Sequence, residues 1–405
     1  MSQHAKTLTQ TSLPADHSWR KLPAVGIVLA VIGLGASTLF CMNGQKEQFY
    51  YSYITAFMYW LSLGLGGLFF VLIHHATKAG WSVVVRRLAE NVMGTLPWMA
   101  LMAIPIIIGI QDHVLFHHWT DAEAVAKDPI LQGKSGFLNV PFFYARMAFY
   151  FGVWFFLVRK FRGASVAQDA SGDHEISRSL TRWSYPGIIL FALTLSFAAI
   201  DWIMSHDPHW YSTMFGVYYF AGSVLGIFAL MSVIVVRLRK TGMLVDAITT
   251  EHDHDLGKYC MAFVIFWSYI AFSQYMLIWY ANIPEETIWF AHRLTGGWET
   301  VSMALVLGHF VVPLFFFLPS TIKRMPNLLF GGAVWLLFIH YVDIYYLIMP
   351  NLHHYLHISF MDASIFLGVG GIFLFAFGRL MGADAVIAHK DPRLPESLNF
   401  ENFAS

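Results

Sequence analysis

Ionisable and hydroxyl side chains recur within two consecutive apolar stretches in the last third of the chain. Glu299, Ser302 and His309 are spaced three and seven residues apart, which places all three on one face of an α-helix. His340 and Asp343 are three residues apart in the next stretch, so they are neighbours on one helical face. Imidazole has an ordinary pKa of ~6.5 and exchanges protons near neutral pH. This pattern predicts a proton relay or a site for a quinone-type head group.

A third stretch, FSQYMLIWYANIPEETIWF, carries polar groups at residues 272–290. Ser273 and Gln274 interrupt its apolar part, and Glu285 and Glu286 follow a proline break. Polar groups within a lipid bilayer are costly unless protein or water satisfies them. We expect Ser273 and Gln274 to face the bundle interior and the two glutamates to lie just beyond its outer end. There the glutamates would accept protons released outward or hydrogen-bond a neighbouring subunit.

Two earlier apolar stretches each contain one charged residue, Arg146 in the first and Asp201 in the next. A buried Arg requires a counter-charge, and the carboxylate on the following helix is the nearest candidate. The sequence therefore predicts that Arg146 and Asp201 are partners. Their role stays open between a proton path and a structural pin, with snorkelling of Arg146 to the outer interface as a third alternative.

Residue types that bind metals are present but lack ligand spacing. Cys41 and Cys260 stand alone at opposite ends of apolar stretches, so this chain is not expected to hold an iron–sulfur cluster or a c-type haem. His353, His354 and His357 in NLHHYLH have no acidic or cysteine partner at ligand spacing. We therefore predict no metal site in this chain.

Composition defines the class of protein that must position these residues. Of its 405 residues, 57% are apolar and only 12% are charged, against about 25% charged in soluble proteins. The chain is therefore expected to be an integral membrane protein. Its 25 basic and 25 acidic residues give no net charge, so the balance does not indicate a nucleic-acid partner.

Ten apolar runs approach the ~20 residues that cross a bilayer: about 23–42, 51–75, 92–110, 139–158, 187–204, 215–236, 260–281, 298–318, 328–349 and 365–381. Lipid permits only helices or closed barrels, and uninterrupted runs of this length exclude the alternating pattern of a barrel strand. The predicted fold class is all-α integral membrane with ten transmembrane helices.

The distribution of basic residues predicts the orientation of these helices. Apart from Arg146, which falls inside the fourth run, four of the 25 basic residues lie in one alternating set of segments: Lys46, Lys127, Lys134 and Arg293. The other twenty lie in the opposite set. Because basic residues concentrate on the cytoplasmic side, both termini are expected in the cytoplasm.

No linker or change of composition divides the chain, so we predict one membrane domain. Residues 23–381 form it, with a cytoplasmic N-terminal segment at 1–22 and a cytoplasmic C-terminal tail at 382–405. The longest segments outside the membrane are expected at 111–138 on the outer side and at 165–185 on the cytoplasmic side.

Three strings resemble a known family: SQYMLIWYANIPEE at Ser273 to Glu286, DWIMSHDPHWYSTMFGVYYFAG at Asp201 to Gly222, and KDPRLPESLNFEN at Lys390 to Asn402. Together they look like the smaller NrfD-like integral membrane subunit of bacterial alternative complex III, a quinol:electron acceptor oxidoreductase. The likeness runs from the first helix to the tail. The first string is the most specific, whereas the DPHW segment also resembles the larger NrfD-like subunit.

The resemblance implies two four-helix bundles, helices two to five and six to nine, beside a peripheral helix pair. It implies the bacterial cytoplasmic membrane, with membrane lipid, the larger NrfD-like sister subunit, an iron–sulfur subunit and multi-haem cytochrome c subunits as partners. Haems and iron–sulfur clusters would belong to those partners, none being bound covalently by this chain, and a quinol such as menaquinol would be oxidised. Electrons would pass to a cytochrome c or copper protein. This chain would contribute a proton path, a second quinone pocket or scaffolding.

Two other function classes would also place histidines and carboxylates at membrane depth. A proton-coupled transporter would carry broken helices at corresponding positions of two repeats, and no convincing Gly/Pro-interrupted pair is found. A b-type cytochrome would use His309 and His340 as axial haem ligands, the one such pair at similar depth.

Overall fold

The computed structural model describes residues 10–42 and 44–402, and helices are the only regular elements in that part of the chain. Ten of them are long and apolar enough to cross a membrane, labelled here in chain order as α1 (Ser18–Met42), α2 (Lys46–Ala76), α3 (Val83–Gln111), α4 (Val140–Ser171), α5 (His174–His206), α6 (Phe215–Lys240), α7 (Thr250–Ala281), α8 (Trp298–Phe317), α9 (Pro326–Asn351) and α10 (Phe360–Ala383). The predicted all-α membrane fold is confirmed: this is a multi-pass membrane protein. Residues 1–9 of the expected N-terminal segment and 403–405 of the expected tail lie outside the described residues.

Short helices occupy several connections between the long ones: His117–Thr120, Ala122–Lys127 and Pro129–Lys134 between α3 and α4, Pro284–His292 between α7 and α8, Ser320–Arg324 between α8 and α9, and Leu394–Leu398 after α10. The helix that begins at Pro284 follows Asn282, which ends α7 in the left-handed conformation with φ 50°. Proline suits the first turn of a helix because that N–H has no partner within the helix. The predicted break before Glu285 and Glu286 is therefore present, at Asn282 to Pro284.

Residues 165–185 were expected to form a loop, and this is wrong, because α4 and α5 extend through the segment and only residues 172–173 separate them. Gly172 adopts φ 66°, the left-handed conformation that glycine favours at a helix end. The Asp173 side chain then accepts a hydrogen bond from the Glu175 backbone N–H at 2.8 Å and caps α5. Hydropathy marks only the lipid-embedded part of a helix, whereas backbone hydrogen bonding continues the helix beyond it.

Helix α3 likewise begins at Val83, about two turns before the apolar run that revealed it. Its first turns contain Arg86 and Arg87, which are 2% and 0% exposed. Arg87 pairs with Glu90 at 2.8 Å, and Arg86 pairs with Asp391 of the C-terminal tail. Buried ion pairs satisfy these charges, so the segment folds as helix although its hydropathy is low.

The long helices form two four-helix bundles, α2 to α5 and α6 to α9, beside the pair α1 and α10. Glycines bring the pair into close contact: a Cβ built on Gly26 would lie 2.5 Å from the Gly371 carbonyl oxygen, and one built on Gly33 would lie 2.5 Å from the Gly368 nitrogen. Small residues allow such close helix packing in membranes, where apolar burial alone gives little driving force.

Helices α2 and α6 lie at the centre and join the two bundles. The Tyr219 hydroxyl of α6 donates to the Met58 carbonyl of α2 at 2.7 Å. Most side chains of both helices are buried within the protein. Polar groups on α2 therefore reach residues of the second bundle.

Candidate functional site

Asp343 on α9 is the carboxyl group at the centre of a buried polar cluster. Asp343 is only 1% exposed. One carboxyl oxygen accepts a hydrogen bond from the Tyr218 hydroxyl of α6 at 2.5 Å, and the other accepts from the Trp267 indole N–H of α7 at 3.0 Å. Three helices of the second bundle thus position this one group.

His340 lies one helical turn before Asp343 and joins the cluster to the first bundle. Its Nε2 is 2.9 Å from the Ser62 hydroxyl of α2. Gly222 of α6 makes room for it, because a Cβ at that position would lie 2.8 Å from His340 Cε1 and 3.8 Å from a carboxyl oxygen of Asp343. His340 and Asp343 therefore share one helical face, as predicted. The contact with Ser62 shows that this face meets α2 and is not enclosed by the second bundle alone.

His309 on α8 completes the cluster from a third direction. Its ring centroid lies 3.8 Å from the Trp267 ring and 6.4 Å from the His340 ring. It is fully buried, and among the described residues neither of its ring nitrogens has a hydrogen-bond partner. The Nδ1 atom of His340 is unpartnered in the same sense. Buried polar atoms usually have a hydrogen-bond partner, so these nitrogens are free to accept or donate a hydrogen bond to a water or a proton carrier.

A π-helical turn at Val306–Val311 holds His309 in place. Pro313 has no N–H to donate toward the preceding turn, and its ring disfavours regular α-helix there. The Trp335 indole N–H instead donates to the Gly308 carbonyl at 2.7 Å, which satisfies an acceptor in that turn. Such single π turns occur frequently at functional sites. The proline four residues after His309 was the sequence signal for this feature.

Glu299 does not belong to the cluster, which corrects the expected polar stripe on α8. Its side chain is exposed and accepts a hydrogen bond from the Gly297 backbone N–H at 2.8 Å, at the start of the helix. A π turn contains more residues per turn than an α-helix, so steps of 100° do not hold from Glu299 to His309. Local capping and the changed register separate the two residues.

Ser302 and Tyr346 extend the polar contacts toward the end of the bundle where α8 begins. The Ser302 hydroxyl lies 2.9 Å from the Tyr346 hydroxyl and also reaches the Arg293 carbonyl at 3.0 Å. Ser302 was therefore placed correctly on the inner face of α8. Tyr346 lies three residues after Asp343, on the same side of α9.

Arg293 is a buried residue at the end of the bundle where α8 begins. From the sequence it had counted only as one of the basic residues outside the apolar runs. It is 1% exposed and donates to the carbonyls of Trp289, Tyr346 and Leu347 at 3.1, 3.2 and 2.9 Å. Its guanidinium carbon also lies 3.6 Å from the centre of the Trp289 ring. Burial lowers the pKa of Arg293 to about 10, so it stays charged near neutral pH. No carboxylate forms an ion pair with it among the described residues.

The residues of the 272–290 stretch divide between interior and surface. Gln274 is buried, as expected, and its side-chain oxygen accepts from the Ser212 hydroxyl at 2.9 Å. Ser273 is half-buried, and its hydroxyl donates to the Ile270 carbonyl of its own helix. Glu285 is exposed and Glu286 is half-buried, both in the first turn of Pro284–His292. No described hydrogen bond connects either glutamate to the central cluster.

Arg146 and Asp201 form the predicted pair, inside the first bundle. The guanidinium donates through Nε and Nη2 to the two carboxyl oxygens, each at 2.8 Å. The Tyr150 hydroxyl donates to the same carboxyl group at 2.7 Å, and a further Arg146 N–H donates to the Phe137 carbonyl at 2.8 Å. This bidentate geometry satisfies both charges. Snorkelling of Arg146 is wrong, since its side chain is directed to Asp201.

The two carboxyl groups therefore differ in their chemistry. Asp201 accepts two hydrogen bonds from a guanidinium, so a counter-charge lies directly beside it. Asp343 has neutral donors, and no ion pair to it exists among the described residues. A carboxyl group without a fixed counter-charge can change protonation without breaking a salt bridge, and the imidazoles beside it can do the same.

The surroundings of His309 and His340 bear on haem ligation. Trp267 covers the His309 ring, and the backbone of α6 at Gly222 and Gly226 lies against the His340 ring. Both imidazole rings are thus packed against protein groups, and Nε2 of His340 is already in contact with Ser62. Among the described residues, no three His, Cys, Asp or Glu side chains are arranged to hold a metal ion.

A scan of the chain against protein-family models finds no match, and no curated protein matches it.

Proposed function

We propose that this chain handles protons in the membrane part of a bacterial quinol-oxidising complex. The observation that carries the proposal is the environment of Asp343: a buried carboxyl group, hydrogen-bonded to neutral donors, with two imidazoles nearby. A group of this kind serves proton transfer because it changes charge where few other groups can. Arg146 and Asp201, whose charges compensate each other, hold the first bundle together instead.

The residues of the cluster have distinct parts in this proposal. Asp343 takes up and releases the proton, and Tyr218, whose hydroxyl touches it, orients the carboxyl group. His340 connects the site to α2 through Ser62. His309 offers two nitrogens that have no partner among the described residues, and its ring lies on the indole that binds Asp343.

Protons leave, in this proposal, toward the end of the bundle that carries Ser302, Tyr346 and Arg293. The two hydroxyls are in contact, and Arg293 fixes the backbone of α9 at Tyr346. Glu286 and Glu285 lie at that end, but a step to them requires water, because no side chain links them to Ser302 in the described residues.

Electron transfer is proposed to take place in partner subunits. Cys41 lies on α1 and Cys260 on α7, so they offer no cluster-type ligand set. The three strings at residues 201–222, 273–286 and 390–402 support the smaller NrfD-like subunit of alternative complex III as the family. Its larger sister, an iron–sulfur subunit and multi-haem cytochromes c are then the partners, and the basic-residue asymmetry supports cytoplasmic termini.

A proton-coupled transporter is the second class, and the helix interruptions do not favour it. Helix α3 is interrupted near Gly94 and Ala103, whereas α8 is interrupted at Val306–Val311. Helix α3 is the second helix of its bundle, whereas α8 is the third helix of the other bundle. Transporter repeats place such breaks at corresponding positions.

Purification of the affinity-tagged chain from its native membrane in mild detergent tests the proposal. We expect a multi-haem cytochrome c and a large iron–sulfur protein to co-purify with it. Isolation of the chain alone, without either partner under several detergents, would contradict the complex. An absorption spectrum of the separated chain with haem bands would instead establish a b-type cytochrome.

A further inference from the structure

Two basic residues on α4 lie far from the central cluster and have no counter-charge. Arg159 and Lys160 follow directly after the apolar run that ends at residue 158. Arg159 is exposed and Lys160 is half-buried. Within the described residues, neither side chain forms an ion pair with a carboxylate. Two uncompensated positive charges on adjacent residues attract a negatively charged group.

Carboxylates near this end of α4 and α5 have other partners. Asp384 forms an ion pair with Arg162 at 2.8 Å. Glu175 pairs with Arg178 and also lies 3.9 Å from Arg182, so one carboxylate serves two guanidinium groups. The charges of the α4 pair are therefore left for a group outside the described residues.

An aromatic side chain of α5 holds Lys160 at the edge of the apolar part of the protein. The Lys160 ammonium lies 5.2 Å from the centre of the Trp183 ring, which is 41% exposed. The Phe156 ring packs edge-on against the same indole, with centroids 5.7 Å apart. Exposed tryptophans concentrate where lipid head groups meet the hydrocarbon of the bilayer. We therefore place the two cations at the level of the phospholipid head groups.

Open space lies beside these cations. Gly163 follows Arg159 by four residues and Lys160 by three, so the three residues share one side of α4. Apart from the neighbouring part of α4 itself, no atom of the described residues lies within 4 Å of a Cβ built on Gly163. A head group can thus approach the helix backbone beside the two long side chains.

Apolar side chains continue from the cations along the membrane-embedded part of both helices. Phe155 and Phe156, one turn earlier on α4, are exposed, and so is Ile189 on α5. Acyl chains pack against such residues, whereas a free phosphate ion gains nothing from them. Cations beside an apolar surface therefore suit a phospholipid, and the absence of a carboxylate partner favours a head group with net negative charge.

We propose that Arg159 and Lys160, together with Trp183, bind the phosphate of an anionic phospholipid such as phosphatidylglycerol. The planar guanidinium of Arg159 can donate two parallel hydrogen bonds to phosphate oxygens, and Lys160 adds a compact positive charge. The lipid would bridge α4 and α5 on their outward side. The site shares no residue with the cluster around Asp343, so the inference does not rest on the proton role.

Native mass spectrometry of the full chain in detergent tests the site, by titration with phosphatidylglycerol or with phosphatidylcholine of the same acyl chains. The double variant Arg159→Gln, Lys160→Gln removes both charges. Its matched control, Lys46→Gln with Lys127→Gln, also removes two charges, but from cations that already pair with carboxylates. Each cation near an anionic lipid strengthens binding about fivefold, so we expect about thirtyfold weaker phosphatidylglycerol binding by the first variant and little change in the control.

A second variant, Gly163→Leu, keeps both charges and fills the open space. Leucine favours helix more than glycine does, so α4 should stay folded. We expect weaker phosphatidylglycerol binding by this variant, whereas Gly152→Leu, about three turns away and also facing open space, should bind as the wild type does.

Equal phosphatidylglycerol binding by the charge variant and its control would overturn the site. Equal affinity of the wild type for phosphatidylglycerol and phosphatidylcholine would do the same. Displacement of the lipid by inorganic phosphate, but not by sodium chloride of the same ionic strength, would assign the cations to a free anion and not to a lipid.

Discussion

The His309 ring lies against the Trp267 indole, with centroids 3.8 Å apart, and the same indole donates its N–H to Asp343 at 3.0 Å. One aromatic side chain therefore connects the π turn of α8 to the buried carboxyl group of α9. Helix α8 therefore packs against a hydrogen-bond donor of the carboxyl group, although His309 and Asp343 share no hydrogen bond among the described residues.

Replacement of His309 by Phe should cost little stability. Neither ring nitrogen has a partner among the described residues, and Phe can retain the contact with Trp267. A swap of similar volume changes the free energy of unfolding by less than about 1.5 kcal/mol. Thermal unfolding in detergent measures this. His340→Phe is the comparison: it also loses the Ser62 contact and should be less stable, so the reverse order would contradict the described contacts.

Replacement of Gly222 by Ala should displace His340. A Cβ there would lie 2.8 Å from His340 Cε1, and forcing extra atoms into packed cores costs about 1 to 3 kcal/mol. We expect lower thermal stability and a shifted imidazole resonance in nuclear magnetic resonance spectra of labelled histidine. Gly331→Ala should change neither quantity, because no atom of the described residues lies within 4 Å of a Cβ built there. Equal effects of the two variants would argue against the α6–α9 contact.

Replacement of Asp201 by Asn should destabilise the first bundle strongly. The change leaves the Arg146 charge without its bidentate partner, and breaking a buried pair costs about 3 to 5 kcal/mol. Glu175→Gln removes an exposed partner of Arg178 and should cost no more than about 1 kcal/mol. The free energy of unfolding, measured for both variants, checks this difference. An effect of Asp201→Asn as small as that of Glu175→Gln would contradict a buried pair shielded from water.

The membrane orientation is predicted from the basic residues and can be mapped with reporter fusions. The two-residue turn at 172–173 should lie in the cytoplasm, and the short helix Ala122–Lys127 should lie outside. Fusions at these two points should report opposite sides. If both fusion points reported the same side of the membrane, α4 could not be a spanning helix.

Hydropathy was sufficient to predict ten spanning helices, because each must bury about twenty residues in lipid. The Arg146–Asp201 contact was also predictable, since an isolated charge at that depth is costly. Helix ends were less predictable: Gly172 and Asp173 form a tight turn inside a segment that looked like a loop. Hydropathy alone does not show where a helix ends once it continues beyond its apolar run.

The central site was only partly predictable for reasons of packing. His309, His340 and Asp343 were chosen for their chemistry, and the structure brings them together. Ser62 was not predicted to belong to the site, because its contact with His340 depends on how the two bundles pack together. Glu299 was misplaced because its side chain caps the exposed start of α8 at the Gly297 N–H, and the π turn before Pro313 also changes the register between it and His309.

Quinol-driven proton release tests the central claim most directly. The assembled complex containing this chain would be placed in proteoliposomes, and a pH-sensitive dye would follow proton release while electron transfer is recorded. We predict that Asp343→Asn assembles normally but slows electron transfer or lowers the protons released per electron, and that His309→Phe does the same. Full turnover with unchanged proton release in both variants would contradict the account and leave the cluster with a structural role.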